Sequence, residues 1–156
     1  MDDAGSKHTA LDGLVKEEGL WYKGLGYLSA RGPSMPTVLI VDDEENLREL
    51  YRTELTEEGY EVLTAANGKE AMELLQGRRP DAVVMDIRMP EMDGIEALGK
   101  MVARYKGLPV IINTAYSRYQ DDFRSWAAEA YVVKSSDLSE LRKTLRKVIE
   151  KARKAQ

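Results

Sequence analysis

Cysteine is absent from the chain, which removes disulfide frameworks, thiolate metal sites and catalytic thiols. No apolar run approaches the ~20 residues that a membrane-spanning helix needs. The N-terminus, Met1-Asp2-Asp3, is acidic and lacks the basic-then-apolar order of a secretory signal. A basic excess is missing too. The formal net charge is -4, which gives no overall attraction to nucleic acid. Histidine occurs once, at His8, so neither a histidine metal site nor a phosphodonor histidine within the chain is expected. These absences leave a cytoplasmic soluble domain as the expectation. Hydrophobic residues make up 43% and charged residues 32% of 156 positions, enough for one core with an appendage.

Six of the twelve glycines fall within residues 1–34, at positions 5, 13, 19, 24, 26 and 32. Such density weakens regular elements. A short helix from Thr9 is the one element this stretch suggests, with Leu11, Leu14 and Val15 on one face and Gly19 as its stop. Leu20, Trp21, Tyr22, Leu25, Tyr27 and Leu28 then make an apolar, aromatic patch. Residues 1–34 are therefore expected to be an extension or leader, native or added in cloning. A segment that docks on the domain or on a partner is the alternative. The folded domain is expected to span 35–156.

From Thr37 onward, short apolar runs alternate with segments of helical periodicity. Thr37 to Val41 and Ala82 to Met85 have no polar face, as strands buried on both sides require. Glu61 to Ala65, Val110 to Ile112 and Tyr131 to Val133 complete five expected strands. Helices are expected over Glu44 to Glu58, Gly68 to Leu75, Gly94 to Tyr105, Ser117 to Ala128, and from Ser136 towards Lys154. This alternation implies an α/β fold, a parallel sheet with helices on both faces. Function in such sheets gathers beyond the carboxyl ends of the strands. Asp42-Asp43, Asp86, Thr114 and Lys134 all stand there.

Three carboxylates at one edge repel one another. At ~4 Å and an effective dielectric of ~20, each like pair costs about 4 kcal/mol. A hard divalent cation offsets this, and an oxygen donor set suits Mg²⁺. Lys134 can neutralise further negative charge, and Thr114 can donate a hydrogen bond. A carboxylate is also a competent nucleophile towards phosphorus. The cluster is suited to hold a phosphoryl group between a metal ion and an ammonium.

Four motifs in order carry a resemblance. They are Val38-Leu39-Ile40-Val41-Asp42-Asp43, then Met85-Asp86-Ile87-Arg88-Met89-Pro90-Glu91-Met92-Asp93-Gly94, then Thr114-Ala115, then Tyr131-Val132-Val133-Lys134. The chain resembles the receiver domain of two-component response regulators over residues 36 to about 150. That resemblance implies a doubly wound, flavodoxin-like fold with strand order 2-1-3-4-5, as in chemotaxis regulators. It implies Asp86 as phosphoacceptor, with Asp43 as direct Mg²⁺ ligand, Asp42 acting partly through water, and Arg88 lending its backbone carbonyl. Thr114 would be the switch hydroxyl, Tyr131 the aromatic that follows it, and Lys134 the phosphate-binding lysine. Arg88 and Tyr116, two residues after the acceptor and the switch threonine, would flank the water that hydrolyses the phosphate.

Two positions depart from the family pattern. Ser135 stands where proline usually follows the lysine, which favours a trans bond there. Ala127 stands where glycine is common. The implied partners are a sensor histidine kinase or phosphotransfer protein and a downstream protein. A homodimer through the fourth helix, fifth strand and fifth helix is a further expectation. No effector domain follows Lys154 in this sequence, so output is expected through a partner, a dimer or a phosphorelay. Membrane and nucleic-acid partners are not expected, and the basic residues of the last helix read as a solvated face. A receiver-like module that takes no phosphate is the first alternative, and the full set of acids with Thr114 and Lys134 argues against it. An aspartate-nucleophile phosphatase is the second. Such enzymes carry an acid two residues after the nucleophile, where this chain has Arg88.

Overall fold

A computed structural model describes residues 9–11, 14–17, 20–23 and 26–29 by their backbone, and residues 35–88, 94–123 and 126–155 in full. Thr9–Leu11 (β1), Leu14–Glu17 (β2), Leu20–Lys23 (β3) and Gly26–Ser29 (β4) pair as a four-stranded antiparallel sheet in chain order. The helix expected from Thr9 is therefore not formed. Leu11 pairs with Leu14, Glu17 with Leu20, and Lys23 with Gly26. Two residues separate each pair, and glycine occupies a place in all three separations. A two-residue gap that includes glycine is the spacing typical of hairpins.

The second sheet is built from Thr37–Val41 (β5), Glu61–Ala65 (β6), Ala82–Met85 (β7), Val110–Thr114 (β8) and Ala130–Val133 (β9). Its order is β6-β5-β7-β8-β9, all parallel, which is the expected 2-1-3-4-5 arrangement. Among the described residues the two sheets share no strand pairing. Four helices accompany the parallel sheet among the described residues: Glu45–Glu57 (α1), Gly68–Gly77 (α2), Gly94–Arg104 (α3) and Ser139–Lys154 (α4). None is long and apolar enough to cross a membrane.

Alternation along each strand divides the core in two. Val38, Ile40, Val84 and Ile111 pack on one face with Tyr51 and Leu55 of α1 and Leu141 and Leu145 of α4. Leu39, Val41, Met85 and Ile112 pack on the other with Ala71 of α2 and Leu98 and Met101 of α3. The period of two in the strands meets the stripe of each helix, so burial drives the layering.

The helix expected over Ser117 to Ala128 is not regular among the described residues. Ser117–Tyr119 is a 3-10 turn, and turns follow it. Gln120, Asp122 and Trp126 each donate to the carbonyl three residues back, at 3.0–3.2 Å. The spacing of Tyr119, Phe123 and Trp126 still places all three, partly buried, against the second core cluster. The surface expected to include a fourth helix is thus an aromatic turn region beside β9.

Candidate functional site

Each strand of the central trio, and β9 at the edge, delivers one polar residue to the same end of the sheet. Asp42 follows β5, Asp86 follows β7, Thr114 ends β8 and Lys134 follows β9. Backbone bonds fix these ends: Asp86 N–H to the Val41 carbonyl at 3.1 Å, and Lys134 N–H to the Thr114 carbonyl at 2.7 Å. Gly94 opens α3 hard against this loop. A Cβ there would collide with the Ile87 Cα and the Asp86 carbonyl oxygen, so only glycine allows the approach.

The carboxylates of Asp42, Asp43 and Asp86 offer oxygens that all lie within 4.8 Å of one another. Asp42 and Asp86 are buried and Asp43 is exposed. Each buried acid has one oxygen on a backbone amide. Asp42 Oδ1 accepts from Glu44 N–H at 2.9 Å, and Asp86 Oδ1 accepts from Arg88 N–H at 3.0 Å. Their other oxygens share the Lys134 ammonium, whose Nζ lies 2.7 Å from Asp42 Oδ2 and 2.7 Å from Asp86 Oδ2. Burial works to lower the Lys134 pKa, but the hydrogen bonds that Lys134 donates to Asp42 and Asp86 outweigh this and hold the ammonium above the ordinary lysine range. No peptide bond among the described residues is cis, so the Lys134–Ser135 bond is trans, and the lysine reaches the acids without the family's proline.

Thr114 is fully buried, and its Oγ1 accepts from Tyr116 N–H at 3.4 Å. Tyr131 donates its hydroxyl proton to the Tyr116 carbonyl, and its ring meets Phe123 at 5.9 Å between centroids. The Arg88 guanidinium stands 4.8 Å from the centre of the Tyr116 ring, and Arg118 stands 5.2 Å from it. The Arg88 and Tyr116 side chains thus stack on each other. His8 and residues 89–93 lie outside the described residues.

Two neighbours of the site were not singled out from the sequence. Asn113 is buried, and its Nδ2 donates to the Tyr51 hydroxyl at 3.0 Å. Val41 pairs with Met85, and Met85 with Ile112, so Asp42, Asp86 and Asn113 follow in one row across three strands. The legible signal was the polar residue closing the apolar run Val110-Ile111-Ile112.

Residues 38–146, more than half of the chain, match the family model described as the response regulator receiver domain. The chain belongs to this family. It is 41% identical over 115 residues to the regulatory protein AtoC of Escherichia coli, covering 72% of this chain but 25% of AtoC. It is 35% identical over 114 residues to sporulation initiation phosphotransferase F of Bacillus subtilis, covering 72% of this chain and 92% of that protein. Among solved structures it is similar to the response regulator TrrA of Thermotoga maritima in complex with Mg²⁺ and BeF. That match has 46% identity and a TM-score of 0.70, over 73% of this chain and 99% of TrrA.

Proposed function

We propose that this receiver domain accepts a phosphoryl group on Asp86, from a phosphohistidine of a sensor kinase or phosphotransfer protein, and passes the change to a partner, a dimer or a phosphorelay. The observation that carries this reading is the grouping of Asp86 with two further carboxylates and the Lys134 ammonium at one strand edge. Two findings on TrrA support it: that relative has been solved with Mg²⁺ and BeF, and in complex with the histidine kinase ThkA.

Three carboxylate oxygens within 4.8 Å form a hard, anionic donor set that fits Mg²⁺. Asp42, Asp43, Asp86 and the Arg88 carbonyl would hold it, and when bound it would supply charge neutralisation to the phosphoryl oxygens. An Asp86 oxygen attacks phosphorus as the P–N bond of the phosphohistidine breaks, and the imidazole leaves with the electron pair. Lys134 exchanges its contact with Asp86 Oδ2 for a phosphoryl oxygen. Thr114 donates its hydroxyl proton to another, and Tyr131 follows inward. Arg88 and Tyr116 screen the path of the hydrolytic water. Residues 35–156 are the receiver unit, and 1–34 are an extension to it.

The test is incubation with Mg²⁺ and acetyl phosphate, followed by intact-mass measurement. The wild type should gain one phosphoryl group only with Mg²⁺, and Asp86→Asn should gain none. A wild type that stays unmodified, or an Asp86→Asn variant modified as fast as wild type, would overturn the reading.

A further inference from the structure

The row of polar residues across the sheet contains one member that the proposed chemistry does not use. Asn113 directly succeeds Ile112 on β8, as Asp86 succeeds Met85 on β7, and those two predecessors are paired in register. Alternation puts both side chains on the face that carries Val84, Ile111 and Tyr51. Neighbouring strands lie about 4.8 Å apart, so an unrestrained amide at 113 is within reach of the Asp86 carboxylate. Instead its Nδ2 donates to the hydroxyl of Tyr51, a fully buried residue of α1.

We propose that Tyr51 is a positioning residue for the phosphoacceptor, acting through Asn113: its hydroxyl holds the amide off Asp86 and keeps that carboxylate free to attack. Both Asp86 oxygens already accept hydrogen bonds, from Arg88 N–H and from Lys134. A further N–H donated by Asn113 would draw charge from the nucleophile and compete with a cation for its oxygen. A pair that served packing alone could be replaced by two apolar residues of similar shape at little cost. The positions before Asn113 on β8 are apolar, so the polar pair marks a requirement of the site. The inference rests on Asp86 being the phosphoacceptor.

Tyr51→Phe, Asn113→Leu and the double variant decide it. Three measurements are made on each: the rate of labelling by acetyl phosphate, Mg²⁺ binding by calorimetry on unlabelled protein, and the urea midpoint. In Tyr51→Phe the freed amide should slow labelling about tenfold, the scale of a hydrogen bond to a charged group, and Mg²⁺ should bind more weakly. Adding Asn113→Leu should restore both. The proposal is overturned if Tyr51→Phe matches wild type in both, or if the double variant stays as impaired as the single. If Tyr51→Phe does not unfold cooperatively, Asn113→Leu alone decides. A rate close to wild type supports the proposal, and a tenfold loss overturns it. A wild type that takes no phosphate sinks the functional reading instead, and the Mg²⁺ titrations then judge the Tyr51 role.

Discussion

Ala127 is where backbone strain can be measured. Its φ of 66° lies in the left-handed region, and it is the one non-glycine residue with positive φ among the described residues. The cause is visible in the hydrogen bonding. Ala128 N–H donates to the Phe123 carbonyl five residues back. This is the outer bond of a Schellman-type ending, which requires a left-handed residue just before the donor. The same ending closes α1, where Tyr60 N–H donates to the Leu55 carbonyl and the left-handed residue is Gly59 with φ 98°. One chain thus makes the same turn twice, once with glycine and once with alanine.

Left-handed backbone costs an L-residue roughly 1–2 kcal/mol. Replacing Ala127 by glycine removes that cost but returns about 0.4–1 kcal/mol of freedom to the unfolded chain. Ala127 is exposed, so its methyl contributes little burial. The net expectation for Ala127→Gly is a gain of about 0.5–1 kcal/mol, hence a rise in Tm of about 2–4 °C for a domain of this size. Ala127→Val should move the other way by at least ~1 kcal/mol, because a branched Cβ tolerates positive φ worst. Urea unfolding monitored by tryptophan fluorescence, at unchanged slope, reads both. A lower midpoint for the glycine variant, or no loss for the valine variant, would refute the strain argument.

Further outcomes are expected. Lys134→Met should cost about 3 kcal/mol at neutral pH without divalent cation, since it strands two buried carboxylates. It should also tighten Mg²⁺ binding, because the competing ammonium is gone; calorimetry and urea midpoints check both. Lys134 is held above its ordinary value of 10.5, so its stabilising share is full below that pH and fades as pH rises through the higher folded value. The gap between wild-type and Lys134→Met midpoints should therefore be constant from neutral pH to about pH 10 and narrow beyond. Arg88→Asn with Tyr116→Glu should open the stacked pair and speed loss of the Asp86 phosphate by about tenfold, read from radiolabel decay; an unchanged rate would end the screening argument. Removal of residues 1–34 should leave a cooperative transition near that of the full chain, since every described core residue lies between Val38 and Ile149; a molten product would place part of the core upstream.

The parallel sheet was legible because β5, β7, β8 and β9 are each built on a short apolar run closed by a polar residue, so period and boundary coincide. Two local errors have physical causes. Glycine at positions 13, 19 and 24 reads as a breaker of helices, yet each falls in a two-residue gap between strands that pair, which is hairpin spacing. Between 117 and 128, the helical spacing of the aromatics predicts a helix that the structure does not form among the described residues. A 3-10 turn and its successors also put residues three and four apart on one side, so burial of Tyr119, Phe123 and Trp126 does not require the α geometry.

The candidate site was legible residue by residue, but its coupling was not. Asp42, Asp86, Thr114 and Lys134 announce themselves as polar ends of apolar runs. That Lys134 bridges two acids depends on the width of three strands, and that Arg88 stacks on Tyr116 depends on the turn after β8. Asn113 shows the limit best. Beside Thr114 it reads as one more polar residue leaving a strand. Only the register of β7 with β8 makes it the neighbour of Asp86, and only the placement of α1 brings a tyrosine hydroxyl, 62 positions away in sequence, to meet its amide. A linear pattern records which face a side chain takes, whereas what it meets there is decided by the other elements that pack on that face. The acid cluster is a property of strand ends and can be read from the strands alone. The Tyr51–Asn113 contact is a property of layering, and it exists only once helix and sheet have come together.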